Sequence, residues 1–275
     1  MGFHRPDRIE DGLAALAAGA SVIAGGTDWY PARGDGPVPQ NVLDVTRLPG
    51  FRGIDRTDTG WRIGAAATWS DVARADLPPA FDGLKQAARM VGSIQIQNAG
   101  TVGGNICNAS PAADGIPPLL TLDAEVDVIG PDGIRHMPLA QFITGVRQTE
   151  LGQDELLRSV HIPDPSGAGA SFQKLGARKY LVISIAMVAA LVRVDAGRVA
   201  EARVAVGACS PVAGRLPVLE QALIGAYPDD LMRIVTPAHL EGLSPITDVR
   251  GSAEYRLDVV AELVARAVQQ AAKGA

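Results

Sequence analysis

An α+β fold is what this chain of 275 residues predicts, and three observations predict it. Short strand-like runs near the N-terminus enclose a helix, hairpin pairs follow with helical segments between them, and beyond about residue 171 two long apolar runs precede helices that close the chain.

Residues 1–52 read as a small strand, helix, strand unit. Asp7 can cap a helix carrying Leu13, Ala14, Leu16, Ala17 and Ala18 on its inward side, with Gly19 as the stop. Val22 to Ala24 is an apolar run that ends on Gly25-Gly26, and Asn41 to Val45 is a second strand. Pro31, Pro37 and Pro39 make the segment between them irregular. A larger unit, 53–170, opens with a hairpin in which Gly53–Arg56 and Gly60–Gly64 flank Thr57-Asp58-Thr59. Ser70 offers a cap for a short helix, and Phe81, Leu84, Ala87, Ala88 and Val91 fall at helical spacing on the next. A long glycine- and asparagine-rich loop then runs from Asn98 to Asp114. Pro117 and Pro118 limit where a helix can follow, while Leu119, Leu120 and Leu122 are expected to pack under whatever that loop binds. Ala124–Ile129 and Ile134–Met137 form a second hairpin around Gly130-Pro-Asp-Gly133, and Glu155–Ile162 is one more strand, ended by Pro163 and Pro165. Gly167-Ala-Gly-Ala-Ser171 is no dinucleotide fingerprint, because it precedes the strand-like Phe172–Leu175 where that fingerprint must open a helix. Residues 171–275 read as a separate sheet-plus-helices domain. Val182–Val194 and Val199–Val206 are antiparallel strands about Asp195-Ala-Gly197, and helical segments lie in 215–240 and 252–272. The last helix carries a packing stripe of Leu257, Val260, Leu263, Val264, Ala267 and Val268.

Composition excludes several classes. A net charge of −5 argues against a nucleic-acid binder, which needs a basic face. No stretch has the apolar length of a bilayer span, and Met1–Glu10 lacks the hydrophobic core of a secretory signal, so no membrane insertion and a cytoplasmic setting are expected. Cys107 and Cys209 alone cannot make a four-thiolate cluster, and a reducing compartment favours two buried thiols over a disulfide. His4, His136, His161 and His239 are far apart and show no metal-binding spacing. No nucleophile elbow, paired carboxylates or P-loop is present, so no catalytic residue is expected on this chain.

Two stretches carry the chemistry. In Asn98–Asp114, Gly100, Gly103 and Gly104 let backbone amides approach a ligand, while Thr101, Asn105, Asn108 and Ser110 add small donors; the same pattern also suits a tight turn. An earlier stretch of the same kind, Ser21–Asp28, exposes Thr27 and Asp28 after its two glycines. Two such bends could enclose a pyrophosphate from both sides without a formal positive charge.

Ala24-Gly-Gly-Thr-Asp28 and Thr101-Val-Gly-Gly-Asn-Ile106, followed by Ser110-Pro111 and Asp114, resemble the paired flavin-binding loops of the FAD subunit of the molybdenum hydroxylases. Asp248-Val-Arg-Gly-Ser-Ala-Glu-Tyr-Arg256 is similar to that family's C-terminal signature, so the resemblance spans essentially the whole chain. It implies a two-part FAD-binding domain of the PCMH type, subdivided at 52 and followed by a C-terminal domain of the CO dehydrogenase flavoprotein type. By the resemblance, Ile23, Ala24, Gly25, Gly26, Thr27, Asp28, Thr101, Gly103, Gly104, Asn105, Cys107 and Asn108 hold FAD. Asp114 would sit near the ribityl chain or ring, although a helix-start carboxylate satisfying amides fits the same position. Leu157 falls where the family places an apolar ring contact, and Lys174 where it places a lysine beside the flavin. The implied role is an oxidoreductase subunit that takes electrons from iron–sulfur clusters and passes them from FAD to an external acceptor. The implied partners are a molybdenum-cofactor large subunit and a [2Fe-2S] small subunit, assembled as a dimer of heterotrimers. Val182 stands where the family often has an acidic residue after the basic pair matching Arg178-Lys179, and Gly251 where alanine is usual. Two rivals remain: a free-standing FAD-dependent oxidoreductase with its own small substrate, and a flavin-free ligand-binding protein.

Overall fold

The computed structural model describes residues 2–165, 167–178 and 181–275. At the N-terminus, β1 (Gly2–His4), α1 (Ile9–Ala17), β2 (Ser21–Ile23) and β3 (Asn41–Asp44) form a parallel three-stranded sheet in the order β1-β3-β2. Phe3 is opposite Val42, and Val22 opposite Leu43. Asp7 does not cap α1: Arg8 holds the cap position with no side-chain bond to the helix.

The second unit is built on a five-stranded antiparallel sheet, β4-β5-β10-β6-β7. Its strands are β4 (Ile54–Thr57), β5 (Gly60–Gly64), β6 (Glu125–Gly130), β7 (Gly133–Pro138) and, arriving later in the chain, β10 (Leu156–Pro163). Between β5 and β6 run five helices: α2 (Trp69–Arg74), α3 (Asp82–Met90), α4 (Ile94–Ala99), α5 (Val102–Asn108) and α6 (Ile116–Thr121). The cap of α2 is Thr68, not Ser70. Its hydroxyl accepts from the Asp71 amide while the Asp71 carboxylate accepts from the Thr68 amide, and Ser70 instead donates to the Asn98 side chain at 2.5 Å. The expected long loop is a second correction, because most of it is helix: Ser93 caps α4 and Thr101 caps α5. Pro117 and Pro118 do not delay α6; they occupy its first turn, where a missing amide hydrogen breaks no bond. After β7, one turn of helix, α7 (Leu139–Phe142), and the ribbon β8 (Ile143–Gly145) and β9 (Gln148–Thr149) lead back to β10.

The C-terminal sheet, β11-β12-β13-β14, consists of β11 (Ala168–Leu175), β12 (Ala186–Asp195), β13 (Arg198–Gly207) and β14 (Gly214–Arg215), all antiparallel. Helices α8 (Pro217–Leu223), α9 (Leu231–Ile234) and α10 (Ala253–Lys273) complete the chain. Alternation along β12 shows how the halves join. Ala186, Val188, Ala190 and Val192 pack with Val260, Val264, Ala267 and Val268 of α10. Met187 and Ala189, on the opposite face, meet Ala87 of α3. A strand buried on both faces reads as a continuous apolar run, which is why β12 was legible in the sequence. It starts later than the run suggests: Leu181 is left-handed, with φ of 52°, and Lys179 lies outside the described residues. Leu119 and Leu120 on α6 and Leu122 just after it are buried in the same core as Phe51, Trp69 and Leu157 of the cleft described next, while α6 packs against β12 and β13.

Candidate functional site

A cleft of about 630 Å³ opens between the end of β2 and the α4–α5 segment, with β10 contributing Leu156 and Leu157. Local sequence explains how tightly the two sides meet. A Cβ on Gly25 would sit 1.8 Å from the Ala99 carbonyl oxygen, so only glycine allows the β2 end to touch the end of α4. Gly26 follows with φ of 71°, which turns the chain into the cleft. Gly103 is similarly pressed on Ala65, 2.6 Å from a Cβ placed on it, and its amide donates to the Ala65 carbonyl at 2.8 Å.

The two bends do different jobs. Among the described residues, the amides of Gly25, Gly26, Thr27 and Asp28 have no protein acceptor, which leaves a run of donors facing the cleft. The amides at the start of α5 are already used: Val102 donates to Ala67, Gly103 to Ala65, and Gly104 to the Thr101 hydroxyl at 3.0 Å. That side offers Thr101, Asn105 and Asn108 side chains instead. The Asn105 side-chain oxygen is buried without a hydrogen-bond partner, and Asn108 bridges the bends by donating to Asp28 at 3.0 Å. Arg147 holds Asn108 from behind through the asparagine side-chain oxygen.

The remaining walls are apolar: Val22, Ile23, Val45, Phe51, Trp69 and Ile96 among others. Of these, sequence reasoning named only Ile23; it missed the others because the walls come from five separate segments, brought together by the fold. It also missed Arg33, in the 3₁₀ turn Pro31–Arg33, whose guanidinium lies 4.5 Å from the centre of the Trp29 ring. The cleft therefore does contain a formal positive charge. Its position five residues after Asp28 was the available signal.

All the expected cofactor-contacting residues line this cleft except Asp114 and Lys174. Those two form a buried ion pair of 2.6 Å, with side chains 8% and 7% exposed. Ser184 donates to the other Asp114 oxygen at 2.5 Å. Burial pushes the Asp114 carboxyl up more than the Lys174 charge and the Ser184 bond pull it down. The carboxylate thus satisfies no helix-start amide; it ties the α5–α6 connection to the C-terminal sheet. Lys174 also donates to the Met90 carbonyl at 3.2 Å, one residue from Val91 in the cleft wall, so the pair stands directly behind that wall. Both cysteines are free thiols. Cys209 is buried as expected, but Cys107 is exposed, because it faces the cleft.

An apolar cleft with a cluster of free amides on one side and small polar side chains on the other suits a dinucleotide bearing a flat ring. Residues 1–165 match the family model described as the FAD binding domain in molybdopterin dehydrogenase, and residues 171–271 match the CO dehydrogenase flavoprotein C-terminal domain. The chain belongs to that flavoprotein family. The xanthine dehydrogenase FAD-binding subunit of Escherichia coli O157:H7 is 30% identical over 99% of this chain and 96% of its own length. The carbon monoxide dehydrogenase medium chain of Hydrogenophaga pseudoflava is 27% identical over 98% and 96%. The solved carbon monoxide dehydrogenase of the same organism superposes with a TM-score of 0.88 at 26% identity, covering 100% of this flavoprotein and 98% of that chain. The flavoprotein is an oxidoreductase subunit of the xanthine and CO dehydrogenase kind. Among the described residues, no helix is long and apolar enough to cross a membrane.

Proposed function

We propose that this chain holds FAD in the cleft between the β2 end and the α4–α5 segment as the flavin relay of a molybdenum hydroxylase, assembled with its partners as a dimer of heterotrimers in the cytoplasm. The observation that carries the assignment of the site is the row of unpaired amides from Gly25 to Asp28 facing Thr101, Asn105 and Asn108 across an apolar cleft. Fixed dipoles of this kind solvate a pyrophosphate without reorganising, and the Arg33 guanidinium adds charge at the same wall. Phe51, Trp69 and Leu157 supply the apolar surface that a flat ring needs and exclude water from it. Bound there, FAD would accept and release electrons one or two at a time, joining single-electron clusters to an external acceptor. Lys174, one residue behind the wall, keeps an ammonium close to the cleft while Asp114 and Ser184 hold it in place. The chain's own groups bind and orient; substrate chemistry belongs to the partner.

Purifying the chain alone and co-expressed with its partners tests this reading. The expected result is a yellow protein that co-purifies with molybdenum and iron–sulfur subunits and whose flavin is reduced by the complex's substrate. Turnover of an organic substrate by the isolated yellow chain would instead identify a free-standing flavin enzyme, and a colourless protein that rejects added FAD would end the flavin assignment.

A further inference from the structure

Many arginines of this acidic chain meet a carboxylate: Arg62 meets Asp55, Arg135 meets Glu155, Arg215 meets Glu220 and Arg256 meets Asp248. One surface hollow departs from that pattern. It has a volume of about 360 Å³ and is lined by Arg5, Thr46, Arg47, Leu48, Gly50 and Arg52. Arg5 has a partner, Asp44, at 3.0 Å. Among the described residues no carboxylate meets Arg47 or Arg52; Arg52 donates only to the Thr46 carbonyl, at 3.0 Å. A fourth guanidinium touches Gly50 of the same turn. Arg158 of β10 is packed on Gly50, where an added Cβ would be 2.8 Å from its Nε and Nη2, and that Nε is buried without a hydrogen-bond partner. Arg62 then occupies the carbonyls of Gly50 and Arg52, at 2.7 and 3.2 Å, so the turn's acceptors are not left for the free guanidiniums.

Several like charges gathered at one hollow repel one another unless an anion neutralises them. A carboxylate brings a single charge, whereas a phosphate monoester carries close to two and three acceptor oxygens that match guanidinium forks. We infer that the hollow lined by Arg47, Arg52, Arg5 and Gly50 is a binding site for the phosphate group of a small ligand, separate from the cofactor's own phosphates. The turn that carries it also supplies Val45 and Phe51 to the flavin cleft, so hollow and cleft are two sides of one segment.

The test uses the full chain saturated with FAD, so that the cleft is filled, titrated calorimetrically with inorganic phosphate and separately with ADP. Saturable binding is expected, weakened about tenfold or more by Arg47→Glu and again by Arg52→Glu, with flavin absorbance unchanged. Arg47→Ala, at an exposed position, keeps the test open should the charge reversals unfold the chain. Binding of both probes assigns the site to the phosphate group itself; binding of ADP alone assigns it to a nucleotide. Binding of neither, or equal affinity in wild type and variants, overturns the inference. Flavin occupancy is read independently by absorbance, so failure here leaves the cofactor assignment standing.

Discussion

Gly104 and Gly25 separate two reasons for glycine in one site. A Cβ on Gly104 meets only the Thr101 hydroxyl, at 2.8 Å, so a side chain there projects into the cleft and not into the fold. Gly104→Val crowds that hydroxyl, the cap of α5, so it is expected to cost no more than about 0.5–2 kcal/mol and to leave the chain folded while removing bound flavin, seen as loss of visible absorbance after gel filtration. Retained yellow colour would show that this position does not face the cofactor. Gly25→Ala instead drives a methyl into the Ala99 carbonyl, and it should cost about 1–3 kcal/mol of stability together with flavin. Lys174 poses a third case. Lys174→Met leaves the Asp114 carboxylate buried with only Ser184, and urea denaturation should show a loss of about 3–5 kcal/mol. The double change with Asp114→Asn should recover a good part of it, and a double variant no better than the single one would contradict the ion-pair account. The glycine loops were readable from sequence because glycine's tolerance is a property of the residue itself. The Asp114–Lys174–Ser184 contact was not, since its members are 60 and 70 positions apart.

At the scale of elements, the joint between the halves rests on the second face of β12. Met187 is fully buried there with Ala87 of α3, Phe172 of β11 and Ala189. Met187→Ala opens a void in that contact and is expected to cost about 2–5 kcal/mol, with the urea midpoint moving down at constant slope. A shift under 1 kcal/mol would mean that the joint can collapse around the gap. The hairpin β6–β7, the strand β10 and the α10 stripe from Val260 to Val268 were legible, because period and turn chemistry are local, while Leu257 at its head is only half-buried and outside the core. The α4–α5 segment was not. Its glycines and asparagines favour turns by propensity, yet Ser93 and Thr101 cap two short helices and Gly103 must be close to Ala65. Helix α1 failed in its cap, which is Arg8 and not Asp7, and in its inward face, because Ala14, Ala17 and Ala18 are exposed while Gly12 is buried.

For the whole molecule, the C-terminal sheet is held between α10 on one face and α3 and α6 on the other, so the flavin unit and the C-terminal unit share their packing. That shared packing puts Lys174 behind the wall of a cleft made by the first 157 residues, and it is the reason flavin loss and global unfolding are expected to separate in Gly104→Val but not in Lys174→Met. Sequence alone determined the family, the two glycine-rich bends, and the strands and helices whose periodicity is local. Only the tertiary structure decided that one bend offers free amides while the other offers side chains, that Arg33 and Trp69 join the wall, and that Asp114 faces a lysine. Which backbone donors stay unpaired, and which charges meet in the dark of the interior, depend on contacts between distant segments, and those exist only once the chain has closed on itself.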